Sequence, residues 1–489
     1  MTDYISSDQQ AGSYSIAHLY YGSRCRRLLS SRGFIETLEI GVASGNVDSC
    51  KFAMDAYKSQ RPQIKMTLLK TTLGLAAVLA STQLLAGGFA RTEQSIAGMG
   101  SGQAGRASMA EDASTVYGNP AGMARLDNSQ ITMGAAFVDA STDISHAAGR
   151  SQGSNDGNMV PFSTVPFGFY TRKIDEHWAF GLGLYAPFGL STDYESSFQG
   201  RMFASKSEIK VVTLQPTISY AFNNRLSIGF GPTFNRIAGT LESDITLNPA
   251  IADTRVKVSG DDTAVGFNIG VLFNATDSTR VGLTYHSKVD YKLGCHTQVS
   301  TGAGTPPQLL ASNRYDCTLK VATPESYDFS VTQALSDAWT LYASATWTGW
   351  SSMQDLSLRN QPVSAAQGGT LASALTGSIQ EGLNWHDTWA YALGTAYRLD
   401  PQWVLRAGVI IDQSPTGNTG RSPRTPTGDR EVFSVGAGYD VTPQLSLDVA
   451  YSYLQEESVD VSRANALGSY SATYKSRASL YGIGATYRF

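Results

Sequence analysis

The chain has 489 residues, a formal net charge of −4 and only 16% charged residues, against about 25% in an ordinary soluble domain. Its aromatic content of 10%, with 24 tyrosines, excludes a disordered chain; four cysteines are too few for a disulfide scaffold, and no basic stripe indicates nucleic-acid binding. Few charges, 48 glycines and a mean hydropathy of −0.16 are typical of a β-protein with one face in lipid and one in water.

The first predicted element is a secretory signal that begins at Met66. Two lysines flank this methionine, an apolar run covers residues 73–85, and small residues suited to cleavage follow. The run is too short and too interrupted to span a membrane as a helix, which needs about 20 apolar residues. We interpret residues 66–86 as a signal peptide and residues 1–65 as an over-extended gene start outside the mature protein. A genuine N-terminal extension is the alternative.

The next segment, residues 87–128, is rich in glycine, alanine and serine and too short for a domain of its own. Residues 100–105 fit the pattern GxGxxG, but no strand of a βαβ unit precedes them, so a dinucleotide site is not indicated. A segment between a signal peptide and a closed barrel can fill the lumen. We therefore predict an N-terminal plug over 87–128.

Residues 129–489 alternate between apolar and polar residues with a period of two. Trp339, Leu341 and Ala343, for example, alternate with Thr340 and Tyr342. Such alternation predicts strands with one apolar and one wet face. Short turns are predicted at 175–176, 223–224, 277–278, 336–337, 400–401 and 442–443, and longer connections at 143–162, 191–205, 242–256, 295–317, 355–385, 413–429 and 457–474.

Six short turns between seven long connections predict an all-β fold, a transmembrane barrel of fourteen antiparallel strands. A soluble β-sandwich is the alternative, but it does not explain why short and long connections alternate. Aromatic or aliphatic residues follow nearly all turns, as in the interfacial girdles of membrane proteins. The chain ends on Phe489 after alternating aromatics, which predicts contact with outer-membrane lipid and, through Phe489, with the barrel-assembly machinery.

Cys295 and Cys317 are the only cysteines of the predicted mature chain. In an oxidising periplasm they could pair. Two free thiols are the alternative.

Several motifs resemble those of the FadL-type outer-membrane transporters. They are Gly88–Ser95, Ala110–Ala113, Asn119–Gly122, Gly183–Leu190, Gly200–Arg201, Lys206–Glu208, Asp412–Pro415, Arg421, Pro426 and Asp429–Arg430. The likeness spans about 87–489. It implies a barrel in the Gram-negative outer membrane with a lumen plug, called a hatch, and no cofactor. It also implies passive uptake of hydrophobic molecules, mostly long-chain fatty acids and sometimes hydrocarbons.

The resemblance also implies roles for individual residues. Hatch residues that match the motifs are Phe89, Glu93, Asn119 and Pro120, and they would position the plug; Asn119-Pro120 also fits a plain turn. Pro187, Phe188 and Gly189 match a kink in the third strand that the family uses as a lateral opening. Proline cannot donate a ladder hydrogen bond and glycine permits a bend. An ordinary strand end with a bulge is the alternative.

An anionic ligand needs a cationic or hydrogen-bonding partner. Candidates on polar strand faces are Lys210, Arg236, Lys288, Arg398 and Arg406. Each could instead be a lumen charge paired with an acid such as Asp290 or Asp412, because buried charges are normally paired.

The function that these patterns predict is uptake of long-chain fatty acids, with aromatic or aliphatic hydrocarbons as the alternative substrates. An outer-membrane hydrolase or a general porin is less favoured. The histidines fit solvated residues, and a porin has no hatch. We predict no catalytic residues and no metal site.

Overall fold

The computed structural model describes residues 15–21, 24–31, 34–41, 88–361, 365–372, 379–465 and 468–489. The chain divides into two compact units, Met1–Ala80 and Ser81–Phe489. In the first unit Ser15–Tyr21, Arg24–Ser31 and Phe34–Gly41 form a three-stranded antiparallel sheet. The predicted signal peptide lies outside the described residues, and the exclusion of 1–65 from the mature protein stays a prediction.

The second unit is a closed antiparallel barrel of fourteen strands, which confirms the predicted strand number. Strands β1 to β6 are Gln130–Gly149, Ser163–Lys173, Trp178–Asp193, Lys206–Ala221, Leu226–Ile245 and Thr254–Asn274. Strands β7 to β10 each have two segments: Thr279–His286 with Val289–Ser300, Asn313–Thr323 with Ser326–Ala334, Trp339–Thr348 with Asp355–Asn360, and Ile379–Gly382 with Thr388–Arg398. Strands β11 to β14 are Trp403–Asp412, Arg430–Asp440, Leu445–Glu456 with Val459–Asn465, and Gly468–Arg488.

Pairing of the last strand with the first closes the barrel. Strand β14 runs antiparallel to β1 from the pair Arg488–Gln130 to the pair Tyr470–Gly149. Lipid offers no hydrogen bonds, so a spanning sheet must pair its own backbone groups all the way round.

The six short turns share one local device. Each turn is a connection of four residues between two strands. The side-chain oxygen of its second residue accepts hydrogen bonds from the backbone N–H groups two and three residues further on. These acceptors belong to Asp175, Asn223, Thr276, Ser336, Asp400 and Thr442. Such side chains favour tight turns because they satisfy backbone donors that the turn leaves unpaired.

Six of the seven long connections are shorter than predicted, because the strands continue into them, whereas the connection 413–429 has the predicted bounds. Strand β5 extends to Ile245 and β6 begins at Thr254, within the predicted connection 242–256. Residues in Val289–Ser300 alternate between buried and exposed, so the strand pattern persists beyond the apolar belt. Only the outward residues change, from apolar to mostly polar or charged.

A belt of apolar side chains covers the outside of the barrel. Trp178, Trp339 and Trp403, each directly after a turn, pack on the aromatic ring of a neighbouring strand at 4.6–4.7 Å. A second aromatic row includes Tyr285 and Tyr327, whose ring centroids are 4.8 Å apart. Two girdles around an apolar band are typical of outer-membrane barrels.

The plug lies inside the barrel, as the sequence predicts. It contains helices α1, Ile96–Gly100, and α2, Thr115–Gly118, followed by a 3₁₀ turn, Pro120–Arg125. Helix α1 packs on β11 to β14 and on β1, whereas the 3₁₀ turn packs on β2 to β6. Together these contacts reach most of the inner wall.

Within the described residues, no helix is long and apolar enough to cross a membrane.

Inward-facing glycines let the plug approach the wall. A β-carbon added at any of nine of them would come within 2.9 Å of a plug atom. These glycines are Gly181, Gly189, Gly229, Gly270, Gly282, Gly394, Gly408, Gly436 and Gly482. Wall hydroxyls then bond to the plug backbone, among them those of Ser219, Ser227, Thr284, Ser330 and Ser344.

Replacing a turn acceptor should weaken the barrel. Asp400→Ala removes the acceptor for the N–H groups of Gln402 and Trp403, which lie 2.8 Å from the carboxylate oxygen. We expect a loss of about 1 kcal/mol in the free energy of unfolding, measured by denaturant unfolding in detergent. Asp400→Asn keeps an acceptor oxygen and should stay close to wild type. Equal losses in the two variants would contradict the role of the acceptor.

Candidate transport site

The Asn119-Pro120 step anchors the plug to the wall. Asn119 is fully buried; its side-chain N–H₂ group donates to the carbonyls of Ala107, at 2.6 Å, and of Val271 on β6, at 3.0 Å. Its side-chain oxygen accepts from the N–H of Ala121. Because one amide binds the plug at two points and the wall at a third, it fixes their relative position.

Two charged contacts hold the middle of the plug. Arg106 pairs with Asp328 on β8 at 2.5 Å and lies 5.9 Å from the centre of the Tyr117 ring. Glu111 accepts a hydrogen bond from the Tyr342 hydroxyl at 2.9 Å and faces Arg406 at 3.4 Å. The wall therefore supplies opposite charges to the plug, as buried ions require.

The wall has a break at β3. Pairing between β2 and β3 extends only to Gly168–Leu184, although β3 continues to Asp193. On the other side, the register with β4 shifts between Tyr185 and Phe188. Pro187 and Gly189 therefore lie where the sequence predicts a kink, and the ladder to β2 is interrupted there.

A short piece of the plug covers this break. The Gly189 N–H donates to the Phe89 carbonyl, and the Arg91 N–H donates to the Pro187 carbonyl, both at 2.8 Å. Ala90 thus forms an antiparallel bridge with Phe188. We call residues 89–91 the cover segment. It supplies β3 with the hydrogen-bonding partner that β2 does not provide beyond Leu184.

An aromatic cluster lies behind the cover segment. The Phe89 ring is 5.1 Å from Trp350, 6.0 Å from Trp385 and 5.6 Å from Phe188. Phe89 and both tryptophans are buried. The cluster continues into apolar side chains of the outer half of the lumen, including Leu190, Phe198 and Ile237. Such a surface suits a hydrophobic ligand.

Two of the cavities in the described part of the chain lie between the plug and the wall. One of about 100 Å³ lies between the plug and strands β9 to β14, with Glu93, Trp350 and Arg430 among its lining residues. Arg430 pairs there with Asp412. The other, about 330 Å³, lies at the turn end of the barrel beside Glu111 and Asp112. Burial raises the pKa of Asp112.

Three of the predicted carboxylate partners point away from the lumen. Lys210 lies on the same face of β4 as the exposed Leu214, and Arg236 on the same face of β5 as the exposed Phe234. Lys288 is also exposed. Their carboxylate partners are Glu208, Asp261 and Asp290, respectively. The expected lumen position is therefore corrected for all three, because strands β4, β5 and β7 continue above the apolar belt, where outward residues meet water.

The other two predicted partners line the cavity at the turn end. Arg398 is exposed on the inner face of β10. Arg406 pairs with Asp448 at 2.8 Å in addition to Glu111. Arg406 is thus already neutralised, so a ligand carboxylate would have to compete for it.

Cys295 and Cys317 are joined by a disulfide between β7 and β8, where they are direct cross-strand partners. Both lie in the outer strand segments, far along β7 and β8 from the short turns.

The sequence also contains a GxSxG spacing, residues 149–153, which is the pattern of a hydrolase nucleophile. The hydroxyl of Ser151 is buried and bonds to the Thr246 hydroxyl at 3.2 Å. That partner is not a general base, so the geometry does not assemble a catalytic triad.

Sequence reasoning missed Arg91, Trp350 and Trp385. Both tryptophans fit a girdle as well as a lumen cluster, since alternation alone does not place residues outside regular strands. Arg91 could have been found from the sequence. It is a charged residue within the segment 87–128, which is predicted to lie inside the barrel, and an enclosed charge needs a partner.

A side chain at Gly270 should dislodge the plug. Its β-carbon would lie 1.9 Å from the Asn119 side-chain oxygen, so Gly270→Val should cost about 1–3 kcal/mol of overpacking and break the Asn119 contacts. We expect greater sensitivity of cells to a large hydrophilic antibiotic such as vancomycin. Gly294→Val is the matched control, because no atom lies within 4 Å of a β-carbon there. Unchanged sensitivity at equal barrel abundance would contradict the anchoring role.

Comparison with known proteins identifies the family that shares this architecture. A family model described as outer membrane protein transport protein (OMPP1/FadL/TodX) matches residues 77–489. The long-chain fatty acid transport protein of Escherichia coli is 26% identical over 456 residues, covering 87% of this chain and 99% of the relative. Outer membrane protein P1 of Haemophilus influenzae is 27% identical, covering 86% and 99%.

Solved structures agree with this assignment. A Pseudomonas aeruginosa FadL homologue has a TM-score of 0.71 at 28% identity and covers 82% of this chain and 99% of that chain. The toluene transporter TodX of Pseudomonas putida, at 16% identity and a TM-score of 0.56 over 80% and 99%, shares the fold. The chain therefore belongs to the OMPP1/FadL/TodX family of Gram-negative outer-membrane transport proteins.

Proposed function

We propose that this protein is a channel for the passive uptake of long-chain fatty acids across the outer membrane. The ligand is captured by the outer loops, binds in the lumen, shifts the plug and leaves sideways through the break at β3. The observation that carries this proposal is that pairing between β2 and β3 ends at Gly168–Leu184 while a plug segment covers the remaining gap.

A sideways exit suits a greasy ligand. A fatty acid partitions poorly into water, and a straight aqueous pore would force its tail through the periplasmic solvent. An exit in the wall leads from the aromatic cluster to the hydrocarbon of the membrane. The tail then moves between apolar surroundings, and no energy source is required.

The names of the relatives support a fatty acid as the first substrate to test, because the Escherichia coli relative is a long-chain fatty acid transport protein. Hydrocarbons are the second candidate. The aromatic cluster around Trp350 offers apolar and π surface without a need for charge. We also propose that Phe489, which is 63% exposed at the barrel end, contacts the barrel-assembly machinery, and that the outer belt contacts membrane lipid.

Uptake assays decide between the substrate classes. In a strain that lacks the gene, restoring it should restore uptake of radiolabelled oleate and growth on oleate as sole carbon source. Labelled toluene and hexadecane are measured in parallel. Uptake of hydrocarbon alone would assign the alternative substrate, and uptake of none of the three would overturn the proposal.

Locking the cover segment should block transport. Ala90 and Phe188 are bridge partners flanked by the two backbone hydrogen bonds, a pair type with Cα atoms about 4.5 Å apart, within the range for a disulfide. Oxidised Ala90→Cys/Phe188→Cys should lose most oleate uptake and regain it after reduction. The single-cysteine variants under the same treatments control for the native disulfide and for each substitution. Full uptake by the oxidised double variant would exclude this exit.

A further inference from the structure

Arg91 in the cover segment is a buried cation without a partner among the residues that the structure describes. Its side chain is fully buried, and none of its three guanidinium nitrogens has a hydrogen-bond partner in that part of the chain. Two other interior arginines differ, because Arg106 pairs with Asp328 and Arg430 pairs with Asp412. A guanidinium offers five N–H donors, so its isolation in a closed site is costly.

The position of the guanidinium is fixed on the kink. The Arg91 N–H is bonded to the Pro187 carbonyl. A β-carbon at Gly189 would lie 2.4 Å from the Arg91 Nε and 2.8 Å from its Nη2. The guanidinium therefore lies against the glycine backbone of β3, at the break in the wall. The absence of a side chain at 189 makes this contact possible.

The nearest acid does not neutralise it. Glu93 exerts an attraction on Arg91, but among the described residues no ion pair joins them within 4.0 Å, and Glu93 bonds instead with the Thr92 hydroxyl at 3.4 Å. Burial lowers the pKa of Arg91 to about 10. The side chain therefore remains charged at neutral pH.

We propose that Arg91 binds the carboxylate of an anionic amphiphile as the ligand passes the β3 kink, which selects ionised fatty acids over neutral hydrocarbons. The guanidinium fork matches a carboxylate in a two-bond geometry. Phe89, two residues before, leads into the aromatic cluster, which accommodates the tail. This inference rests on the proposed uptake of hydrophobic molecules and names the ligand class at its exit.

Pairing of the ligand carboxylate with Arg91 would also help to displace the cover segment. In the structure the cation has no ion-pair partner among the described residues. A carboxylate that pairs with Arg91 would stabilise a conformation in which the cover segment has moved away from β3. A ligand shifts a conformational equilibrium only by such a difference in affinity.

Two ligands with the same tail test the head-group contact. Binding of oleate and of oleyl alcohol to the purified full-length protein in detergent is measured for wild type, Arg91→Met and Arg91→Lys. Loss of a charged hydrogen-bonding partner should weaken oleate binding of Arg91→Met by about ten- to a hundredfold. Oleyl alcohol binding should change by less than about twofold. Arg91→Lys should recover only part of the oleate affinity, because it keeps the charge but loses the two-bond geometry.

Arg125→Met serves as the matched control, because Arg125 is another plug arginine with unpartnered nitrogens but lies in the 3₁₀ turn. It should leave oleate binding unchanged. Equal losses for both ligands in Arg91→Met, or oleate binding as tight as in wild type, would overturn the role of Arg91.

Uptake assays with the same variants separate this inference from the proposed function. Wild type that takes up hydrocarbon but not oleate would overturn the role of Arg91 and leave hydrophobic uptake intact. Wild type that takes up neither would overturn both. Variant barrels are first checked for correct folding by their heat-modifiable migration.

Discussion

The need to pair every backbone group in lipid governs this structure. Hydrocarbon offers no hydrogen bonds, so a sheet that crosses it must close on itself, as β14 and β1 do here. Where β3 leaves β2, the plug supplies the missing partner through the Phe89 carbonyl and the Arg91 N–H. The wall and the plug are thus one hydrogen-bonded system at the kink. In the proposed lateral exit, departure of the cover segment would open a path without unfolding any strand.

Pro187 lowers the strength of that cover. In an antiparallel ladder, the pair formed by Arg91 and residue 187 would exchange two hydrogen bonds. Proline has no N–H, so the pair keeps only the bond from Arg91 to the Pro187 carbonyl. One backbone bond contributes on the order of 1 kcal/mol. By contrast, the rest of the plug is held by buried charges and by Asn119. The contacts therefore favour a local shift of residues 89–91 over expulsion of the whole plug.

The sequence predicts the strand number because period-two alternation and the six turns recur regularly. It also predicts the kink, since proline and glycine have defined effects on a ladder. It does not predict which cations face inward. Lys210 and Arg236 continue the outward face of their strands above the apolar belt, and alternation does not show where along a strand lipid gives way to water. The outer extensions of the strands are not predicted for the same reason. The aromatic cluster is not predicted either, because it depends on contacts between Phe89 and loop residues distant in sequence, such as Trp385.

The two ligand classes differ in what each can gain at the kink. The apolar surface near the exit is already occupied by Phe89, which packs on Trp350 and Phe188. A neutral hydrocarbon must compete with that packing, because it offers the same kind of contact that Phe89 already makes. An anionic amphiphile can make these apolar contacts and also meet a cation that has no partner among the described residues. Only a difference in affinity between states moves the equilibrium. The proposed contact with Arg91 would therefore make the head group, rather than the tail, the part of the ligand that favours opening.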